Sequence, residues 1–133
     1  MKRLDMYQTE SNGELELTLT GLYAEMISFQ NLKDMQKVLN CIHNESMSRS
    51  TSKQLLEPLF NQFTLNNTIV NHSYIGADGE FIYSRFTQRI EKIAGPDFNN
   101  MLSENLVIFR QEDGEWKIWD QLILMIKPLN TSQ

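Results

Sequence analysis

The sequence predicts an α+β fold in which three N-terminal helices pack on a strongly curved antiparallel sheet. Three observations carry the prediction. Apolar residues recur at helical spacing as far as Phe63, and from Asn66 onward the period changes to two. Ala77-Asp78-Gly79 and Asp113-Gly114 each separate two apolar-rich runs, and an Asp-Gly reversal supplies the positive φ that a tight hairpin needs.

Residues 1–10 are polar and aperiodic and read as a loose tail. Ser11-Asn12-Gly13-Glu14 then has the S-x-x-E form of a capping box. Leu15, Leu19, Leu22, Tyr23, Met26, Ile27 and Phe29 follow as the stripe of a first helix. Leu15, Leu17 and Leu19 also alternate, and Thr18, Thr20 and Gly21 are poor helix formers, but the longer periodicity favours helix. Asn31, with Asp34 three residues on, reads as the cap of a second helix whose buried stripe is Leu32, Met35, Val38, Leu39 and Ile42. A polar loop from His43 to Ser48 ends it. Thr51-x-x-Gln54 caps a third helix presenting Leu55, Leu56, Leu59, Phe60 and Phe63, and Pro58 should kink it or begin a second short piece.

Residues 68–76 and 81–93 pair around Asp78-Gly79. A two-residue turn puts Ile69, Asn71, Ser73, Ile75, Ile82, Ser84, Phe86, Gln88 and Ile90 on one face. The other then carries Val70, His72, Tyr74, Phe81, Tyr83, Arg85, Thr87 and Arg89. Gly95-Pro96 ends the strand, and residues 102–111 and 115–126 form the closing hairpin. A three-residue loop at Glu112-Asp113-Gly114 would shift its register by one, so both registers stay open. Without an internal repeat or linker, residues 1–133 read as a single domain.

Twelve basic and seventeen acidic residues give a net charge of −5, which argues against a duplex-binding role. Cys41 is the only cysteine, so no internal disulfide can form, and two histidines and one cysteine fit no zinc spacing. No metal or cofactor is expected. No run approaches the ~20 apolar residues of a membrane span, and Met1-Lys2-Arg3 leads into polar residues rather than a secretory core. The expectation is a cytoplasmic protein.

Leu22-Tyr23-Ala24, Ile42-His43-x-x-Ser46, Phe109-Arg110 and Asp113-Gly114-Glu115-Trp116-Lys117-Ile118 occur in an order and spacing that resembles the nuclear transport factor 2-like superfamily, over residues 15–127. The resemblance implies a cone, with a bent sheet wrapping a long helix and a pocket between them. It also implies relatives as different as ketosteroid isomerases, polyketide cyclases, dehydratases and a kinase association domain, so fold does not settle function.

Isomerase-type chemistry needs a carboxylate base, a donor tyrosine and a protonated acid. Tyr23 stands where the family's tyrosine does. Leu106 occupies the acid's place, and His43 and Glu45 occupy the base's, so a steroid isomerase is disfavoured. His43 with Asp120 or Glu104 would form a different acid–base pair if Leu102, Glu104, Leu106 and Ile108 face inward with Trp116, Ile118, Asp120 and Leu122. In the other register both acids are solvated, and His43 could simply cap the second helix. Tyr23 could equally be a core aromatic, and Cys41 a small buried hydrophobe.

The expected catalytic set is therefore Tyr23, His43 and Asp120, in a pocket lined by Met26, Phe60, Phe86, Glu104, Leu106 and Trp116. The aromatic and arginine face reads as a homodimer interface through Tyr74, Tyr83, Arg85 and Trp119 rather than a nucleic-acid platform. The expected function is binding of an apolar or amphipathic small molecule, with at most weak isomerase or lyase-type chemistry. The competing class is a homo-oligomerisation or protein-interaction module.

Overall fold

A computed structural model describes residues 12–129, so the capping box at Ser11 and the tail 1–10 lie outside the described residues. Three helices, α1 (Asn12–Asn31), α2 (Met35–Asn40) and α3 (Ser48–Gln62), precede four strands. These are β1 (Thr64–Asp78), β2 (Phe81–Ala94), β3 (Met101–Glu112) and β4 (Glu115–Pro128), joined in the sheet order β1-β2-β3-β4. Every neighbouring pair is antiparallel.

The central helix α1 lies along the concave face of the sheet. Leu15, Leu19, Tyr23, Met26 and Ile27 are all buried against Ile82, Phe86, Val107, Phe109 and Ile118. Burying each such side chain contributes about 1.5–3 kcal/mol. The poor helix formers are accommodated locally: Thr18 and Thr20 donate their hydroxyls to the carbonyls of Glu14 and Glu16, at 3.1 and 2.7 Å.

The second helix departs from expectation. Its cap is Asp34, whose carboxylate accepts from the Lys37 amide, and Leu32 is 74% exposed. The cause is the end of α1, where Lys33 takes a positive φ of 60° and the Asp34 amide reaches back to the Phe29 carbonyl. Asn31 serves the sheet instead. Its side chain accepts from the Asn67 amide at 2.8 Å and donates to the Asn67 carbonyl at 3.0 Å.

The third helix begins three residues earlier than Thr51. Ser46 Oγ accepts the Ser48 amide at 2.9 Å, so a serine ahead of the helix serves as its starting partner. Thr51 lies inside the first turns and donates to the Met47 carbonyl. The helix continues past Pro58 to Gln62 without a second piece.

The β1–β2 reversal uses Gly79-Glu80, with Gly79 at φ 63°, between the paired residues Asp78 and Phe81. Asp113 and Gly114, at φ 53° and 85°, form the two-residue turn of the last hairpin, the geometry that matches strand twist.

Five irregularities in strand pairing bend the sheet, and those in β1 and β4, with the two-residue turn of the last hairpin, explain the faces that the sequence misplaces. Irregularities at Val70 and Ile75 turn His72 and Tyr74 inward while Asn71 and Ser73 are exposed. In β3 the buried set is Ser103, Asn105, Val107 and Phe109, so Glu104 and Leu106 belong to the convex face. In β4, shifts near Trp119 and Leu124 leave Ile118 and Gln121 on the concave side.

Candidate functional site

The helical layer leaves part of the concave face uncovered. α3 contributes no fully buried residue, and its Leu55, Leu56 and Leu59 stand over the sheet rather than on it. Two adjoining cavities of about 280 and 250 Å³ lie beneath it, sharing Gln30, Leu56, Leu59, Gln88 and Ile90. The smaller extends along Phe60, Phe63, Leu65, Phe98 and Met101, and the larger along Tyr23, Ser103, Asn105, Gln121 and Asp120.

The floor of the larger cavity is a chain of uncharged polar groups. Tyr23 Oη faces two amide oxygens, Gln88 Oε1 at 2.9 Å and Gln121 Oε1 at 3.1 Å. Asn105 Nδ2 donates to Tyr23 Oη and to Gln88 Oε1, both at 3.2 Å, while its oxygen accepts from Ser103 Oγ at 2.8 Å. Gln88 Nε2 donates to Asn67 Oδ1 at 2.8 Å. Buried amides are tolerated in a core only when bonded, and this network provides the partners. Burial pushes the Tyr23 phenol up to about 12, with the Asn105 hydrogen bond opposing the rise. Tyr23 is therefore a proton donor, not a base, at neutral pH.

Asp120 stands at the mouth. Its Oδ1 accepts from Ser48 Oγ at 3.0 Å and from the Gln121 amide at 2.8 Å. Tyr23 and Asp120 thus share the cleft, but His43 does not join them. His43 Nε2 donates to the Gln111 carbonyl at 3.1 Å, because its Nδ1 is occupied accepting the Glu45 amide. Its ring meets Trp119 edge-on at 5.1 Å, and its own amide bonds the Ile118 carbonyl at 2.8 Å. It fastens the α2–α3 loop to the last hairpin, so the expected His43–Asp120 pair is not formed.

Among the expected pocket residues, Phe60 lines the smaller cavity. Met26 and Phe86 lie in the solid core, where Phe86 stacks on His72 at 4.2 Å and meets Tyr23 at 4.3 Å. Trp116 packs against that core near the hairpin turn. Glu104 and Leu106 are turned away by the strand register, and Glu104 instead pairs with Arg85 on the convex side. Of the expected interface, Tyr74 packs on the core, whereas Tyr83 and Arg85 sit outside. Trp119 is covered by Arg110 at 4.8 Å and Phe81 at 5.6 Å. Cys41 is buried, and burial with the nearby Glu25 charge pushes its thiol up to about 11, which makes it a poor nucleophile.

Sequence reasoning missed Gln88, Ser103, Asn105 and Gln121 as site residues. The available signal was the alternation Ser103-Asn105-Val107-Phe109, whose polar half only looks like an outer face until the register is known. Among the described residues no group of three or more His, Cys, Asp or Glu is placed to hold a metal, and no helix is long and apolar enough to cross a membrane.

Comparison with known proteins places this geometry. No curated protein matches the chain. In structure it is similar to a conserved protein of Planctomyces limnophilus, with a TM-score of 0.70 at 13% identity, covering 88% of this chain and 99% of that one. It is also similar to the hexachlorocyclohexane dehydrochlorinase LinA-type3 of Novosphingobium barchaimii, at 0.69 and 7% over 91% and 94% of the two chains. An NTF2-like protein of Pseudomonas putida aligns at 0.63 and 10%, over 82% and 84%. These likenesses establish the fold as nuclear transport factor 2-like. The family model that matches residues 22–129 is that of the C-terminal domain of the anti-sigma-I factor RsgI9, and the chain belongs to that family.

Proposed function

We propose that the chain is a small-molecule-binding domain whose ligand occupies the cleft between α3 and the concave sheet. The observation that supports this most is the pairing of a leucine wall with a buried, uncharged floor. Leu55, Leu56 and Leu59 offer apolar area, and Tyr23, Gln88, Asn105 and Gln121 offer fixed hydrogen-bonding groups, the composition of a binding pocket. Among the described residues that line the larger cavity only Tyr23 and Asp120 are ionisable, and Tyr23 keeps its proton. Any isomerisation or elimination would therefore fall to Asp120 as base with Tyr23 as donor. Asp120→Asn would abolish such turnover while leaving affinity intact.

The dehydrochlorinase likeness concerns fold, so binding without transformation is the better-supported reading. It also suits a domain whose family is named after a regulatory protein. The test is saturation-transfer NMR with small uncharged ring compounds against the wild type and a Leu56→Trp variant, whose indole would fill the cleft. The reading expects binding that Leu56→Trp removes. Binding untouched by that substitution would refute the location.

A second reading, assembly, rests on a different observation. Leu122, Ile123, Leu124, Met125 and Ile126 are consecutive and each 48–67% exposed on the outer strand β4. The segment from Cys41 to Ser46 bonds that strand at Ile118 and Trp119, and among the described residues no strand pairs with the edge beyond them. Light scattering of Ile123→Glu decides it: a smaller particle than wild type supports assembly through β4, and an unchanged size removes it.

A further inference from the structure

We infer that the cleft selects an uncharged ligand presenting a carbonyl-type acceptor, with an adjacent N–H or O–H donor adding affinity, and that Gln121 reads it. The inference rests on the cleft being a binding site and concerns the class of molecule it takes.

Hydrogens are fewer than acceptors at the floor of the cleft. Tyr23 has one phenolic hydrogen and two amide oxygens within reach, those of Gln88 and Gln121. Gln88 Oε1 has a second donor in Asn105 Nδ2, so it remains bonded when Tyr23 turns to Gln121. Gln121 differs. Among the described residues its Nε2 bonds only the Met26 sulfur, at 3.9 Å, a weak acceptor for one of two N–H groups. The carboxamide of Gln121 therefore enters the cleft with donor capacity to spare, and its oxygen can be released by Tyr23. A ligand carbonyl takes the spare N–H. A neighbouring ligand donor takes the oxygen, and Tyr23 then turns its hydrogen to Gln88. The phenol acts as the slack that lets Gln121 meet either one or two ligand groups, with no buried group left unbonded.

Charge enters as exclusion. Among the described residues no cation lines the larger cavity, where Gln121 stands, to meet an anion, since Lys33 borders only the smaller one, and Asp120 at the mouth repels an anion. Asp120 already accepts from Ser48 Oγ and the Gln121 amide, which fills part of its capacity for an ammonium group.

The experiment uses one ring with three functions: caprolactam, whose cis amide presents C=O and N–H on one edge, cycloheptanone, which has the acceptor alone, and azepane, an ammonium ion at neutral pH. Each is titrated into the 133-residue chain, following the side-chain amide resonances of Gln88, Asn105 and Gln121. The expected order is caprolactam tightest, cycloheptanone weaker by about fivefold, the worth of one neutral hydrogen bond, and azepane weakest. The Gln121 amide should shift most. In Gln121→Leu the preference for caprolactam over cycloheptanone should vanish while both still bind. Equal affinity for all three rings, or azepane binding tightest, overturns the inference and leaves the binding site standing. Failure of all three to bind overturns both.

Discussion

Replacing Tyr23 by Phe isolates the polar floor from the apolar packing around it. The ring would keep its burial and its 4.3 Å contact with Phe86, so the hydrophobic contribution is unchanged. What is lost is one hydroxyl that accepts from Asn105 and donates to Gln88 or Gln121. Two neutral hydrogen bonds contribute about 1 kcal/mol each, and the Gln121 oxygen loses its donor. Relief of the hydroxyl's own desolvation offsets part of this, leaving an expected destabilisation of about 2 kcal/mol. In urea unfolding that is a fall of roughly 1 M in midpoint at unchanged slope. A double-mutant cycle with Gln88→Leu should give a coupling of about 1 kcal/mol, because the two side chains touch. A loss below about 0.5 kcal/mol with no coupling would mean that the network is not formed as described.

Three other predictions test the frame around the cleft. Gly95 has φ 123°, and an added Cβ would lie 2.6 Å from the Gln62 carbonyl, so Gly95→Ala should destabilise by about 2–3 kcal/mol in thermal or urea unfolding. His72 donates from Nδ1 to Thr20, whose own hydrogen goes to Glu16, and accepts from Ser84 at Nε2; burial lowers its pKa below the ordinary 6.5, against the opposing pull of Glu16. The unfolded chain then binds the proton first, so His72's contribution is full above pH 6.5 and declines as pH falls below it, and His72→Gln should flatten that slope in pH-dependent unfolding. His43→Ala should cost about 2–3 kcal/mol through the lost bonds to Gln111 and Glu45 yet leave ring-compound affinity unchanged, as measured by urea unfolding and NMR titration.

The elements themselves were legible because each carries its own period. The stripe from Leu15 to Ile27 and the two Asp-Gly pairs mark a long helix and two hairpins with no tertiary information, although the first hairpin turns one residue later than expected, through Gly79-Glu80. The faces were less legible. A bulge adds one residue without any obligatory sequence mark, and each one inverts the parity of everything beyond it. Tyr74 was misplaced by such a bulge, and Glu104 and Leu106 by the hairpin register, since the turn at Asp113-Gly114 has two residues rather than three, while Tyr23, on a helix with an unbroken stripe, was placed correctly on the inner face. The polar floor was hidden for a further reason. Asn105, Gln88 and Gln121 look like solvent-facing residues until their partners are known, and those partners lie as far as 98 positions away in the chain.

A ligand site requires a hollow between α3 and the concave sheet, and xenon probes that hollow directly, since it enters apolar cavities large enough to hold it. Under xenon pressure, methyl resonances of Leu56, Leu59 and Ile90, which border both cavities, should shift well beyond those of Leu19 and Val107 in the solid core. Uniform small shifts, with Leu56 and Leu59 no different from the core, would show that α3 has closed onto the sheet and that there is no site.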